Sequence, residues 1–303
     1  MKKFFVSCGW IMAVTACITT AEGQHTPEYS VYLGGGVSTL QYRPVMGEKG
    51  FWGSGGLFGI GFNYLFTGRI GLGAGIEVSL YTSTATVNNR TFSYPAYDPE
   101  GTSFVLNGEI GGFKEKQQAL LLNIPVMLQY QHGKGLNKFY VAAGGKIGVF
   151  PVFSRYSGRG ATLHTSGNYD PPRELSPDDM QKSGFGDFDV SVPSGDFPVQ
   201  PYVTASVETG MRWRFNKHVR LYTGIYADYG LTDIRKEKKN APLVVYSNAG
   251  YSVNSVVATA GKVAPLAAGV IVRLAFGPNQ TRGRSVPSPN IFMKENTGNG
   301  RTR

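Results

Sequence analysis

The chain has 303 residues, enough for one large domain or two small ones, and a formal net charge of +10 at pH 7. Its hydrophobic content of 41% and its mean hydropathy of −0.16 are too polar for a helical membrane protein. After the N-terminal segment, no apolar run reaches the ~20 residues that a membrane-spanning helix needs. No helix-turn-helix, zinc or RNA-binding signature accompanies the positive charge, so we predict no nucleic-acid partner.

The N-terminus has the layout of a secretory signal. Two lysines precede an apolar stretch at residues 4–18, and a small-x-small cleavage site ends at Gly23. We therefore predict a signal peptide at residues 1–23. Both cysteines, Cys8 and Cys17, lie within it, so the mature chain is predicted to contain no disulfide. The residues before Cys17 also resemble a bacterial lipoprotein cleavage box, which leaves lipidation of Cys17 as an open alternative.

Eight segments of the mature chain alternate apolar and polar residues with the period of two that is typical of a β-strand. In chain order they cover residues 29–42, 57–66, 70–81, 120–130, 139–149, 202–215, 220–231 and 266–276. The third is the clearest, because its apolar side runs from Ile70 to Leu80 and its other side contains three glycines and Glu77. In the fourth, Pro125 has no N–H for a ladder hydrogen bond, so we expect a bulge or a local distortion there.

The connections between these segments differ in length in a regular way. Short turns follow the second, fourth and sixth segments. Longer segments, predicted to be loops, follow the first, third, fifth and seventh, among them residues 82–116, 156–199 and 235–262. Bacterial transmembrane barrels have short periplasmic turns, long extracellular loops, an apolar outside and a polar inside. The sequence therefore predicts an all-β fold, an eight-stranded antiparallel transmembrane β-barrel with an up-and-down meander, at residues 24–276. A soluble β-sandwich is the alternative, although it gives no reason for the alternating connections.

An eight-stranded barrel is just wide enough to be filled by its own side chains. The charged residues predicted to point inward are Glu77, Lys146, Glu208, Arg212, Arg214, Arg220, Asp228 and Arg273. Because isolated charges inside a barrel are costly, we expect pairs, in which Glu208 and Asp228 join Arg212 or Arg273. We interpret the set as a structural salt-bridge plug, which argues against a general porin. A proton or ion path is the alternative.

The third and fourth long loops differ in charge. The third is rich in acidic residues, and the fourth begins with a basic cluster formed by Arg235, Lys236, Lys238 and Lys239. One interpretation is a set of solvated loops. The other places the basic cluster at the outer rim, in contact with lipopolysaccharide phosphates. Asp187 and Asp189 are carboxylates of the kind that bind calcium, but no complete ligand spacing surrounds them, so we predict no metal site.

Some small outer-membrane barrels modify lipid A, a reaction that needs a nucleophile, a base and an orienting acid. His132 and His218 fall at short turns and His25 lies near the mature start, so only His164 is predicted on the loop side. No serine or acid motif stands beside it, and neither a Gly-x-Ser-x-Gly elbow nor a His-Glu-x-x-His metal site occurs. We therefore predict no enzymatic activity and no cofactor.

Two segments carry a resemblance to a known group of proteins. Residues 120–126 read Leu-Leu-Leu-Asn-Ile-Pro-Val, and residues 143–148 read Ala-Gly-Gly-Lys-Ile-Gly. They resemble outer-membrane β-barrel proteins of the Bacteroidetes, namely the PorT-like and OmpA-N-terminal-like barrels, over about residues 29–276. The resemblance implies a barrel in the cell outer membrane and no particular activity. OmpA proteins continue into a peptidoglycan-binding domain, for which residues 277–303 are too few.

The sequence thus predicts an integral outer-membrane barrel with a plugged interior and a structural or binding role through its long extracellular loops. Its expected surroundings are outer-membrane lipid and lipopolysaccharide. The polar, basic tail at residues 277–303 is predicted to be a disordered periplasmic end, or else a tether to a periplasmic or envelope partner. Two other functions remain open: a lipid A-modifying enzyme, and a barrel component of an envelope assembly or secretion complex.

Overall fold

A computed structural model of the chain describes residues 26–44, 48–49, 53–98, 100–133, 135–170, 172, 184–190, 194–236, 242–247 and 250–278. The predicted signal peptide and the tail from residue 279 onward lie outside the described residues. The strands are β1 (Thr26–Gln41), β2 (Glu48–Lys49), β3 (Ser54–Leu65), β4 (Ile70–Val87), β5 (Arg90–Tyr97), β6 (Ser103–Gly111), β7 (Phe113–His132), β8 (Lys138–Arg159), β9 (Ala161–Tyr169), β10 (Gly186–Val190), β11 (Gly195–Asp196), β12 (Tyr202–Arg214), β13 (Val219–Gly230), β14 (Val244–Ser247), β15 (Gly250–Val253) and β16 (Ala264–Phe276).

Eight of these strands close into a ring. The order around it is β1, β3, β4, β7, β8, β12, β13 and β16, and every neighbouring pair is antiparallel. β16 pairs with β1 over thirteen positions, from Tyr29 opposite Phe276 to Gln41 opposite Ala264, which closes the sheet. The predicted eight-stranded antiparallel barrel is therefore confirmed. We call the end with the three short connections the turn end, and the opposite end the loop end.

The barrel wall is apolar on the outside. Outward side chains stay accessible although they are large and hydrophobic: Leu33 is 61% exposed, Ile225 59% and Val270 62%. The inward residues of the same strands, among them Tyr32 and Tyr226, are buried. A continuous exposed apolar surface of this kind is unfavourable in water and matches the lipid-facing band of a transmembrane barrel.

A second sheet stands at the loop end, where the sequence analysis predicted irregular loops. β4 continues to Val87, and β5, β6, β9 and β10 form a four-stranded antiparallel sheet in the order β10-β9-β6-β5. A hairpin of β14 and β15 and a short helix, α1 (Val256–Thr259), occupy the last long connection. The prediction of loops at residues 82–116, 156–199 and 235–262 was therefore wrong over these strands and the helix.

The loop end of the barrel is covered by an apolar core, which we call the cap. It joins inward residues at the ends of β1, β4 and β7 to side chains around α1, including Leu40, Tyr81, Phe113, Ile234 and Val257. α1 itself is four residues long. Within the described part of the chain, no helix is long and apolar enough to cross a membrane.

Pro125 does not produce a bulge. The ladder between β4 and β7 is interrupted opposite Pro125, but the register on either side of it is unchanged. The register shifts lie on the other side of β7, against β8, between Leu120 and Leu121 and between Leu122 and Asn123. The missing N–H of Pro125 thus interrupts the β4–β7 ladder locally. The two register shifts between β7 and β8 come from extra residues in β8 and not from Pro125.

Candidate functional site: the barrel interior and its cap

Charged side chains inside the barrel form three clusters along its length. The loop-side cluster joins strands from three parts of the wall. Nζ of Lys146 lies 2.7 Å and 2.9 Å from the two carboxylate oxygens of Glu77 and 2.8 Å from Oδ2 of Asp228. All three residues are at most 5% exposed. Two carboxylates therefore share one ammonium group in a site that water scarcely reaches.

Neutral polar groups extend the loop-side cluster. Ser79 donates to Glu77 at 2.7 Å, and Ser206 donates to the free oxygen of Asp228. Asn123 donates to Ser79 at 3.0 Å and accepts a hydrogen bond from Tyr202. Because each carboxylate accepts several hydrogen bonds, the excess negative charge is spread over a connected network.

The central cluster pairs one acid with one base. Arg273 donates to Glu208, which also accepts a 2.6 Å hydrogen bond from the hydroxyl of Tyr140. The guanidinium of Arg273 lies 5.4 Å from the ring centre of Tyr32 and 5.7 Å from that of Tyr222. The aromatic faces and the carboxylate together hold this cation at the middle of the barrel.

The turn-side cluster is built around an acid that the sequence analysis missed. Glu28 lies 3.0 Å from Nη1 of Arg220 and 4.0 Å from Nη2 of Arg212, and it accepts a 2.7 Å hydrogen bond from Tyr222. Arg212 also donates to Gln131 at 2.6 Å. The predicted first strand began at Tyr29, whereas β1 begins at Thr26. The inward alternation of Ser30 and Tyr32, extended backward by one step, would have identified Glu28.

The predicted interior residues are distributed over these clusters with two differences. Glu208 meets Arg273 as expected, but Asp228 meets Lys146 rather than an arginine. Arg214, the eighth predicted residue, lies half-buried at the turn end, where the barrel opens. The interior acids are Glu28, Glu77, Glu208 and Asp228, and the interior bases are Lys146, Arg212, Arg220 and Arg273. The charges therefore balance overall, although two of the three clusters do not balance individually.

A small cavity remains between the loop-side and central clusters. Its volume is about 50 Å³, and Glu77, Lys146, Glu208 and Arg273 contribute to its lining. This volume is enough for a few water molecules, and the polar lining offers them partners. The cavity is much smaller than the sites of drug-sized ligands, which are of the order of 300 Å³ and above.

The cap is fastened to the barrel wall by a buried acid on β7. Glu115 is 0% exposed and accepts hydrogen bonds of 2.9 Å from Ser255 Oγ and from the backbone N–H of Val256. Gln117 donates to the same carboxylate at 2.7 Å and accepts from the hydroxyl of Tyr42 at 3.0 Å. Burial raises the pKa of Glu115 above its usual value. This contact joins residues 141 positions apart in sequence.

The structure contradicts the predicted position of Arg235 at a lipopolysaccharide-contacting outer rim. Arg235 is 5% exposed and donates to the carbonyl oxygen of Ala260 at 2.6 Å, beside an ion pair with Asp233 at 2.9 Å. It therefore fastens the end of α1 inside the cap and does not face the rim. Lys236 is exposed. Lys238 and Lys239 lie outside the described residues.

The outer face of the loop-end sheet carries a polar row across its four strands. Glu109 lies opposite His164, which lies opposite Asp187 on the next strand. Nδ1 of His164 is 2.6 Å from Oδ1 of Asp187. In the described ranges, no group of three or more His, Cys, Asp or Glu residues is arranged to hold a metal ion.

No protein family and no curated protein matches the chain. Among solved structures, it is similar to Neisserial surface protein A, at 10% identity and a TM-score of 0.32 over 82% of this chain and 95% of that one. It is also similar to the N-terminal β-barrel domain of Pseudomonas aeruginosa OprF, at 12% identity and a TM-score of 0.27 over 84% and 100%. For the outer membrane protein OprG of Pseudomonas aeruginosa, the identity is 13% and the TM-score 0.30 over 85% and 97%. These likenesses are too distant to assign a family or an activity.

Proposed function

We propose that the chain is an integral outer-membrane β-barrel with a plugged interior and a structural or binding role through its loop end. The observation that carries the proposal is the inverted placement of polarity in the barrel wall, where buried ion pairs face inward and large apolar side chains face outward. This arrangement needs lipid on the outside. The resemblance of residues 120–126 and 143–148 to the PorT-like and OmpA-N-terminal-like barrels supports the same assignment.

The proposed orientation puts the turn end in the periplasm and the loop end outside the cell. Short periplasmic turns and longer outer connections are the rule in bacterial barrels. The signal-like N-terminus supports export. In this orientation the loop-end sheet is the part of the protein that meets external partners, and exposed Lys236 near the outer rim is a candidate contact for lipopolysaccharide phosphate.

Two layers inside the barrel support the proposed plug. The loop-side cluster bridges three wall strands, and the apolar cap lies above it. An ion crossing the barrel would have to displace the cap and then break a buried ion pair. We therefore expect a structural barrel or a binding barrel and not a general pore.

Two measurements on the mature protein in detergent test this proposal. The barrel predicts a β-rich circular dichroism spectrum and a compact gel species that unfolds only on boiling. The plug predicts no stable porin-sized conductance in planar bilayers. A protein that stays soluble without detergent would overturn the membrane assignment, and a stable open pore would overturn the plug.

One observation keeps a lipid A-modifying enzyme as a second candidate. The His164–Asp187 contact has the geometry of a base and its orienting acid, and both side chains are accessible. This candidate is tested by incubating labelled lipid A with the wild-type protein and with the His164→Ala variant. Product formed by the wild type alone supports the enzyme hypothesis, and no product from either protein rules that hypothesis out. Co-purification from native membranes tests the remaining candidate, a component of an envelope assembly or secretion complex, including any partner of the 277–303 tail.

A further inference from the structure

The turn-side cluster holds more positive than negative charge. Arg212 and Arg220 are 2% and 1% exposed, and both face the same acid, Glu28. Glu28 is the only acidic residue that the structure describes at the turn end. The positive charges of Lys138, Arg214 and Arg69 act on the same region, so nearby residues add to the imbalance.

The hydrogen bonds of the two arginines leave donors on both of them without a partner. Arg212 donates from Nη1 to Gln131, and its Nη2 lies 4.0 Å from Glu28. Arg220 donates from Nη2 to the carbonyl oxygen of Pro278, and its Nη1 forms an ion pair with Glu28 at 3.0 Å without hydrogen-bond geometry. Nε of Arg212 and both Nε and Nη1 of Arg220 are buried and have no hydrogen-bond acceptor among the described residues. Arginine stays protonated in proteins, so none of these N–H groups can be removed.

We propose that the turn-side cluster binds a small inorganic anion of halide size between Arg212 and Arg220. A buried charge needs a counter-charge, and a buried donor needs an acceptor. A water molecule supplies only the acceptor, whereas a monovalent anion supplies both.

The pattern of free donors also selects the type of anion. Phosphate and carboxylate groups bind arginine through two parallel N–H donors of one guanidinium. Here Nη1 of Arg212 and Nη2 of Arg220 already donate to protein oxygens, and the free buried donors are Nε of Arg212 and Nε and Nη1 of Arg220. Buried donors divided between two guanidinium groups suit a small monatomic anion, for which chloride is the natural candidate. With one chloride bound, the two arginines are balanced by Glu28 and the ion.

The test measures the thermal unfolding midpoint of the protein in detergent while sodium gluconate is replaced by sodium chloride at constant ionic strength. Gluconate is a much larger anion than chloride. We expect the midpoint to rise with chloride and then saturate, by roughly 3 °C at ten times the dissociation constant. Arg212→Gln should abolish the rise. The matched control is Lys217→Gln, which removes an exposed cation from the same end and should keep it.

A second variant is expected to strengthen chloride binding, so the proposal can still be tested if Arg212→Gln fails to fold. Glu28→Gln removes the competing acid, so half of the rise should occur at a lower chloride concentration than in the wild type. Equal midpoints in chloride and gluconate for the wild type would overturn the proposal, as would an unsaturated change that Arg212→Gln shares. In crystals grown with bromide, an anomalous peak between the two arginines supports it, and water density without a peak overturns it.

Discussion

The barrel wall and the loop end place polar and apolar residues in opposite ways, although the same strands build both. On β4, the inward residues in the barrel include Glu77, and the outward residues include Ile76. Further along the strand, the inward residues become Ala85 and Val87, and the outward residues become threonines such as Thr84. The strand continues without interruption while its two faces exchange character.

The same exchange occurs on β7. Its outward residues are Lys114 and Lys116 near the loop end and Leu122 nearer the middle of the barrel. The inward residues next to the lysines are Phe113, which belongs to the cap, and Glu115, which fastens the cap to the wall. The exchange therefore marks the level at which the strands leave an apolar environment and enter water. Above this level the protein buries its apolar side chains as a soluble protein does, and below it the protein exposes them.

The largest expected effect comes from removing the shared base of the loop-side cluster. Lys146→Met leaves Glu77 and Asp228 facing each other inside the barrel, and breaking a buried pair in this way costs about 3–5 kcal/mol. The free energy of unfolding, measured in detergent by denaturant titration, should fall by that amount. Lys116→Met on the outward face of β7 is the control and should change little. If the two variants lose the same stability, the cluster does not hold the wall together.

The next prediction tests where the two faces exchange character. Ile76→Arg puts a charge on the lipid-facing side of β4, whereas Thr84→Arg puts it on the same side of the same strand beyond the exchange. We expect a loss of roughly 2–4 kcal/mol for Ile76→Arg and about 0–1 kcal/mol for Thr84→Arg. Unfolding of both proteins from lipid vesicles measures the difference. Equal losses would place the membrane boundary elsewhere.

The sequence predicted the barrel well, since lipid outside and charge inside give a strong contrast between successive residues. The extension of β4 lacks that contrast, because small polar residues such as Thr82 and Ser83 follow one another. β5 and β6 are short and contain proline and glycine, which read as loop residues. Their apolar faces, with Phe92 and Ile110, are recognisable only once the cap is known.

The interior site was predictable in most of its membership, with Glu28 missed and Arg214 included although it lies at the turn end, but not in all its pairings. Strand alternation identified Glu77, Lys146 and Asp228 as inward residues. The order of strands around the ring separates β8 from β4 by β7 and from β13 by β12, and no local pattern reports that these side chains meet in the lumen. Arg235 shows the same limit: it belongs to a basic run in the sequence, yet its position under α1 is set by residues more than twenty positions away.

A smaller effect is expected from the acid that fastens the cap. Glu115→Ala leaves Ser255 and the Val256 N–H without their acceptor, at a cost of about 1–3 kcal/mol. Hydrogen exchange of the α1 amides should report the loss, while Glu109→Ala, an exposed acid on β6, should leave their protection unchanged. Unchanged protection in Glu115→Ala would show that apolar packing alone holds the cap.

The cap should also respond to pH through the same residue. Glu115 lies beyond the lipid-facing part of β7, and burial raises its pKa above the usual 4.5. The folded cap therefore binds a proton more tightly than the unfolded chain does. This contribution to stability is complete below pH 4.5 and is lost as the pH rises through the raised pKa. Glu115→Gln, which does not titrate, should flatten that part of the pH dependence; a profile identical to that of the wild type would contradict the assignment.

The smallest effect is expected on the outer face of the loop-end sheet. The His164–Asp187 contact resembles the interior ion pairs in distance, but the two side chains are 66% and 88% exposed. Solvent and salt screen such a pair, so Asp187→Asn should change the unfolding free energy by less than about 0.5 kcal/mol. A loss as large as that of Lys146→Met would mean that this face is covered in the native protein. The comparison thus separates contacts that hold the fold from contacts that remain available for a partner.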